Sequence, residues 1–123
     1  MCSTVVLALR ADFFHRMLDA SALAGLATAH QTAVGPMSPA QMKEAIVEPA
    51  RLRGVEVEPA LVEVLLRDLF PRGGSEPGVL PLMSHALREA WERSDKRHLK
   101  LADYEAIGGL RGALELRAEA TFL

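Results

Sequence analysis

The sequence predicts a mainly α-helical chain that opens on a single buried β-strand. Three observations predict it. Leu and Ala, at 19 each, outweigh 9 Val, 2 Ile and 4 Thr, a balance that favours helix over strand. Apolar residues recur at helical spacing through most of the chain. One run, Val5-Val6-Leu7-Ala8-Leu9 after Thr4, is continuously apolar and partly β-branched, the pattern of a strand covered on both faces. No second run of that type follows.

Arg10-Ala11-Asp12 ends the strand, and Asp12 is placed to cap a helix from Phe13. Phe13, Phe14, Met17 and Leu18 make a short amphipathic piece, and Ser21 heads a second one carrying Leu23, Leu26 and Ala27. Val34-Gly35-Pro36-Met37 breaks the pattern. Ser38-Pro39-Ala40-Gln41 then reads as a capping box with Pro at the first helical position. Met42, Ala45, Ile46 and Pro49 follow at i, i+3, i+4 and i+7; Pro49 is expected to kink or end that helix, with Gly54 past its tail. Pro59 opens the next helix, whose Leu61, Val62, Leu65, Leu66 and Leu69 form one apolar stripe. Pro71 to Gly78 is a loop by composition. Pro81 sits where a first helical position belongs, followed by Met83, Ala86, Leu87, Ala90 and Trp91. Arg93 to Lys100 reads as a charged connector, and Leu101 to Ile107 as a short helix stopped by Gly108-Gly109. A last helix from about Leu110 points Ala113, Leu114 and Ala118 inward. The opening strand lacks its sheet and the last helix lacks a cap, so the chain reads as a piece of something larger.

Composition narrows the function classes. Apolar residues at 50% and charged residues at 24% are globular values. A net charge of −2 argues against a broad nucleic-acid binder. The apolar runs are too short for a membrane span or a secretory signal. The single cysteine, Cys2, excludes an internal disulfide framework and fits a reducing, cytoplasmic setting.

A phosphate loop needs Gly followed by Lys and Ser or Thr, so that backbone N–H groups and an ammonium meet the phosphates. None of Lys43, Lys96 and Lys100 follows a glycine. No acid stands at a strand end to hold Mg²⁺; Asp12 follows Arg10 and suits a cap. His15, His30, His85 and His98 share no metal-ligand spacing and read as isolated, mostly exposed histidines. Ser84 and His85 are neighbours on a helix and face different ways, so they form no nucleophile–base pair. Catalytic and metal residues are therefore expected to be absent, and the chain by itself is not expected to be an enzyme. Arg51-Leu52-Arg53 and the basic residues from Arg93 to Lys100 lie near helix ends, where cations suit the dipole. Arg10 follows the strand directly, at the edge where open α/β sheets bind ligands; it reads a ligand there, pairs with Asp12, or is a solvated edge residue.

Five segments occur in a distinctive order: Leu9-Arg10-Ala11-Asp12-Phe13, Val34 to Pro39, Ala45-Ile46-Val47-Glu48-Pro49-Ala50, Pro77-Gly78-Val79-Leu80-Pro81-Leu82-Met83-Ser84-His85-Ala86-Leu87, and Tyr104 to Leu114. Together they resemble the downstream half of the novel STAND NTPases, signal-transduction ATPases of bacteria that often carry WD-repeat propellers. The first novel class is the nearest, over about residues 4 to 122. The resemblance implies a mainly α fold. In it, residues 1–12 are the last part of the nucleotide-binding α/β core, with Val5 to Leu9 a strand of the P-loop NTPase sheet. Residues 13–98 are a helical lid, and 99–123 the start of a winged helix. It implies that Arg10 is the sensor-1 arginine that reads the γ-phosphate. It implies that Gly78, Pro81 and Leu82 belong to the lid motif that packs near the adenine. The family binds ATP or ADP with Mg²⁺ through a phosphate loop and a metal acid that lie upstream and have no match here. The expected function is thus the sensor strand and lid of an ATP/ADP-dependent signalling switch. Its expected partners are an NTPase core and a repeat domain, not membrane or nucleic acid. The alternative is a helical protein-interaction module without nucleotide.

Overall fold

The computed structural model describes residues 1–73 and 78–122, the side chain of Phe122 excepted. The chain forms two compact units, Met1–Gly35 and Pro36–Leu123. Most of the secondary structure is helical, as composition predicts. Gly74 to Pro77 of the expected loop, and the side chains of Phe122 and Leu123, lie outside the described residues.

In the first unit, residues 1–10 carry no secondary structure, and the strand expected over Val5 to Leu9 is not formed. Val5, Val6 and Leu7 are 80%, 87% and 70% exposed. The reason is pairing: a strand exists through ladder hydrogen bonds to a neighbour, and no described residue supplies one here. A 3₁₀ turn, Ala11–Phe13, leads into α1 (Phe14–Leu18) and then α2 (Ser21–Ala29). Asp12 does not cap; Arg10 occupies the cap position, and the Asp12 carboxylate accepts from the Arg10 guanidinium. Ser21 is the first helical residue, with Ala20 at the cap. Phe14, Met17, Ala24 and Ala27 are half-buried.

The second unit starts from the cap that the sequence announces. Ser38 Oγ accepts from the Gln41 N–H at 3.2 Å, and Gln41 Oε1 accepts from the Ser38 N–H at 2.9 Å. The helix α3 (Pro39–Leu52) buries Met42 and Ile46. Pro49 does not end it. The ring removes one intrahelical bond, and the helix runs three residues further to a Schellman closure, with Gly54 at φ 70°. There the Gly54 N–H donates to Arg51 O and the Val55 N–H to Ala50 O. Pro59 opens α4 (Pro59–Leu69), and Leu61, Val62, Leu65 and Leu69 are buried as the stripe predicts. α5 (Val79–Arg93) begins two residues before the expected start, so Pro81 is the third helical residue. The first helical bond is given by the Leu82 N–H to Gly78 O, so Pro81 still lacks only an N–H that the first turn does not use.

The connector from Arg93 to Lys100 contains an element that its charge concealed. β1 (Glu56–Val57) pairs in parallel with β2 (His98–Leu99), Glu56 opposite His98 and Val57 opposite Leu99. Asp95 builds the turn before β2 by accepting from the N–H groups of Arg97 and His98 and from His98 Nδ1. Those bonds hold its carboxyl far below the usual carboxylate range. Its contribution to the turn is therefore present above about pH 4 and lost as pH falls below it.

α6 (Leu101–Ala106) starts where Asp103 Oδ2 accepts from the Lys100 N–H, while Glu58 Oε2 accepts from the Leu101 N–H and ties α6 to the start of α4. α7 (Gly109–Phe122) follows the Gly108-Gly109 corner. It turns Leu110, Ala113 and Leu116 towards the core. Leu114 and Ala118 are exposed, contrary to the inward placement expected of them. The physical reason is phase: α7 begins at Gly109 and packs along a three-residue row. α5 lies against α6 and α7, where the fully buried Ala86 and Ala90 let the helices approach closely.

Tyr104 is nearly fully buried, and its hydroxyl donates to Asp68 Oδ2 on α4 at 2.9 Å. Burial and this carboxylate push the phenol above its ordinary range. The stability gained from the neutral phenol is present below about pH 10 and lost as pH rises above it. Tyr104→Phe should cost about 1 kcal/mol at pH 8, a modest net hydrogen bond because Asp68 is partly solvated. Denaturant midpoints of both proteins at pH 8 and pH 11 check this. A gap between them that does not narrow at pH 11 would contradict it.

Candidate functional site

The sequence singles out two groups of residues, and each belongs to its own unit. Arg10 is in the first unit; Gly78, Pro81 and Leu82 are in the second.

Arg10 has an extended backbone, φ −66° and ψ 140°, at the head of the 3₁₀ turn. Its side chain is 77% exposed. Nε and Nη2 donate to the two Asp12 carboxylate oxygens at 3.0 and 2.6 Å. The guanidinium also lies 5.3 Å from the centre of the Phe13 ring, and Arg16 lies 5.4 Å from it. Pairing with Asp12, one of the readings the sequence allowed, is observed, and the pair is solvated. An exposed pair of this kind contributes about 0–1 kcal/mol, so a phosphate oxygen can compete for the fork. Nearby, Leu7, Leu9, Phe13, Arg16, Met17 and Leu23 line an open apolar groove of about 450 Å³.

The second group, Gly78, Pro81 and Leu82, lies at the start of α5. Gly78 is the cap residue, at φ 86° and ψ 1°. That left-handed conformation suits glycine and strains any residue with a Cβ. Its cap has no side chain to satisfy the helix, so the N–H groups of Val79 and Leu80 lack an intrahelical partner. Buried Val79 and Met83 anchor the turn, while Leu80 and Pro81 are exposed and Leu82 is half-buried. This geometry offers two exposed apolar side chains, Leu80 and Pro81, a proline with no N–H to desolvate, and a positive helix end.

One residue of this segment escapes sequence reasoning. His85, read as an isolated exposed side chain, is half-buried, and its Nε2 is buried with no hydrogen-bond partner among the described residues. The available signal was its position one turn after Leu82, on the flank of an apolar helix face. Among the described residues no three His, Cys, Asp or Glu side chains gather as a metal group would, and Cys2 is exposed. No helix among them is long and apolar enough to cross a membrane.

The family model described as Novel STAND NTPase 1 matches residues 1–123. No curated protein and no solved structure matches the chain.

Proposed function

Because the chain belongs to the novel STAND NTPase 1 family, we propose that it supplies the sensor arginine and the helical lid of an ATP/ADP-dependent signalling switch. The observation that carries this reading is the family match along the full sequence, together with a helix, α5, that opens at a left-handed glycine.

The residues fit part of a nucleotide and not the rest. The exposed Leu80–Pro81 surface suits the face of a purine, and Arg10 suits a terminal phosphate through charge-assisted hydrogen bonds. Nothing in the sequence cradles β- and γ-phosphates or ligates Mg²⁺. In this reading those groups come from an NTPase core that works with this chain, and the bound nucleotide supplies the charge difference that distinguishes the two states. Arg10 exchanges its Asp12 partner for phosphate, and the lid changes pose with nucleotide state. Residues 99–123 begin the winged-helix subdomain, and a repeat domain completes the switch.

Two measurements test the reading. Purified chain with Mg-ATP is expected to release no phosphate above buffer. With a complete NTPase core of the family, Arg10→Ala is expected to lower the preference for ATP over ADP by about ten-fold or more, the loss of one hydrogen bond to a charged group. The melting temperature should stay within about 2 °C, because the Arg10–Asp12 pair is exposed. An unchanged affinity ratio leaves Arg10 a surface residue and favours a helical interaction module.

A further inference from the structure

The parallel pair β1–β2 leaves one edge of β1 open beside an apolar groove. The N–H groups of Glu56 and Glu58 donate to Arg97 O and Leu99 O, both at 2.9 Å, so these two residues turn their backbone towards β2. Val57 lies between them. By the alternation of a strand its N–H and C=O point to the opposite edge, and no described residue pairs with its N–H. The groove beside it, about 210 Å³, is walled by Val47 of α3, Val57, and Val62 and Leu66 of α4. Pro59 at the start of α4, Lys43 of α3 and Glu63 of α4 complete its lining. The two charged residues stand out in it. Both are exposed, and neither has an ion-pair partner among the described residues.

We propose that this edge and groove dock an extended peptide segment of a partner protein, with one aliphatic side chain in the groove, an acidic residue against Lys43 and a basic residue against Glu63. Three features select that occupant over a small molecule or a helix. An unpaired backbone donor and acceptor at a strand edge match the main chain of an extended peptide. The groove has the capacity of one large aliphatic side chain and not of a row of helix anchors. The two rim charges are of opposite sign and lie on different helices, α3 and α4, so they favour a segment that carries one acidic and one basic residue flanking the buried one. Side chains at i−2, i and i+2 share one face of a strand, which sets the spacing of the three. The proposal does not depend on nucleotide binding.

The test uses the full chain labelled with ¹⁵N. The probes are acetyl-Asp-Thr-Leu-Thr-Lys-amide, its charge-exchanged counterpart acetyl-Lys-Thr-Leu-Thr-Asp-amide, and a version of each N-methylated along its central residues. One charge order is expected to bind at least about ten-fold tighter than the other, shifting the amide resonances of Val57 and its neighbours. N-methylation is expected to abolish binding. The double variant Lys43→Glu, Glu63→Lys alters only exposed positions, and circular dichroism confirms its fold; it is expected to invert the preference between the two peptides. Equal binding of both charge orders, binding that survives N-methylation, an uninverted preference, or no shift at Val57 would each overturn the proposal.

Discussion

Gly112→Ala is expected to cost the second unit about 3 kcal/mol or more, at the high end for a single added methyl, and to lower its unfolding midpoint by about 12 °C or more. A Cβ at this position would overlap the Ile107 carbonyl oxygen and stand 2.7 Å from the carbonyl carbon. Both are backbone atoms, so no rotamer change relieves the overlap. The first turn of α7 must lift away from the end of α6. That movement is opposed by what surrounds it: Ala113, the next residue, is fully buried, and Ile107 and Tyr104 are 5% and 2% exposed. Lifting α7 uncovers all three. Gly25→Ala is the control, since nothing lies within 4 Å of its added Cβ. It sits inside α2, where the exchange should be neutral or slightly favourable. Thermal unfolding followed by circular dichroism reads both variants. A Gly112→Ala midpoint within about 2 °C of the parent would show that the corner yields more easily than its packing allows.

Gly112 also marks where sequence reasoning stops. Its neighbours Gly108 and Gly109, both at positive φ, are legible as a helix stop because that need is local. The need for Gly112 is tertiary: it arises from where Ile107 lies after the turn, and no spacing encodes that. The same division runs through the fold. The Ser38–Gln41 box, Pro59 at a helix start and the stripe from Leu61 to Leu69 are set by interactions within one turn, and all three are observed. β1 and β2 are two residues each and pair across a long separation, too short for any period-two signal. α5 starts early because Gly78 accepts a backbone conformation that a proline signal at 81 does not reveal. Val5 to Leu9 carries the composition of a buried strand, but burial depends on neighbours, and within this chain the run is exposed.

The candidate site divides likewise. Gly78, Pro81 and Leu82 are recognisable as a motif, and the structure adds why the glycine is needed and which N–H groups have no intrahelical partner. Arg10 is recognisable by its place in the order of segments, whereas its bond to Asp12 follows from the 3₁₀ turn that brings the two side chains together. The Nε2 of His85, without a partner among the described residues, and the open edge at Val57 are not properties of any residue taken singly. They appear only once packing decides which polar atoms are covered.

Deleting residues 1–9 is expected to reduce self-association of the chain strongly while leaving the unfolding midpoint of the second unit within about 2 °C. Every buried hydrophobic residue among those described lies between Met42 and Ala113, so the deletion removes none of that core. What it removes is an extended apolar run whose side chains and ladder groups face solvent, the kind of segment that recruits a strand from another molecule. Arg10 stays in place at the head of the 3₁₀ turn, so α1 and α2 keep their start. Helix content per residue should rise, since the deleted residues contribute none. Sedimentation velocity over a range of concentrations reads the association, and far-ultraviolet circular dichroism reads the helix content and the melt. If the full chain is monomeric and the truncated one melts far below it, the opening run is part of the folded core and the expectation fails.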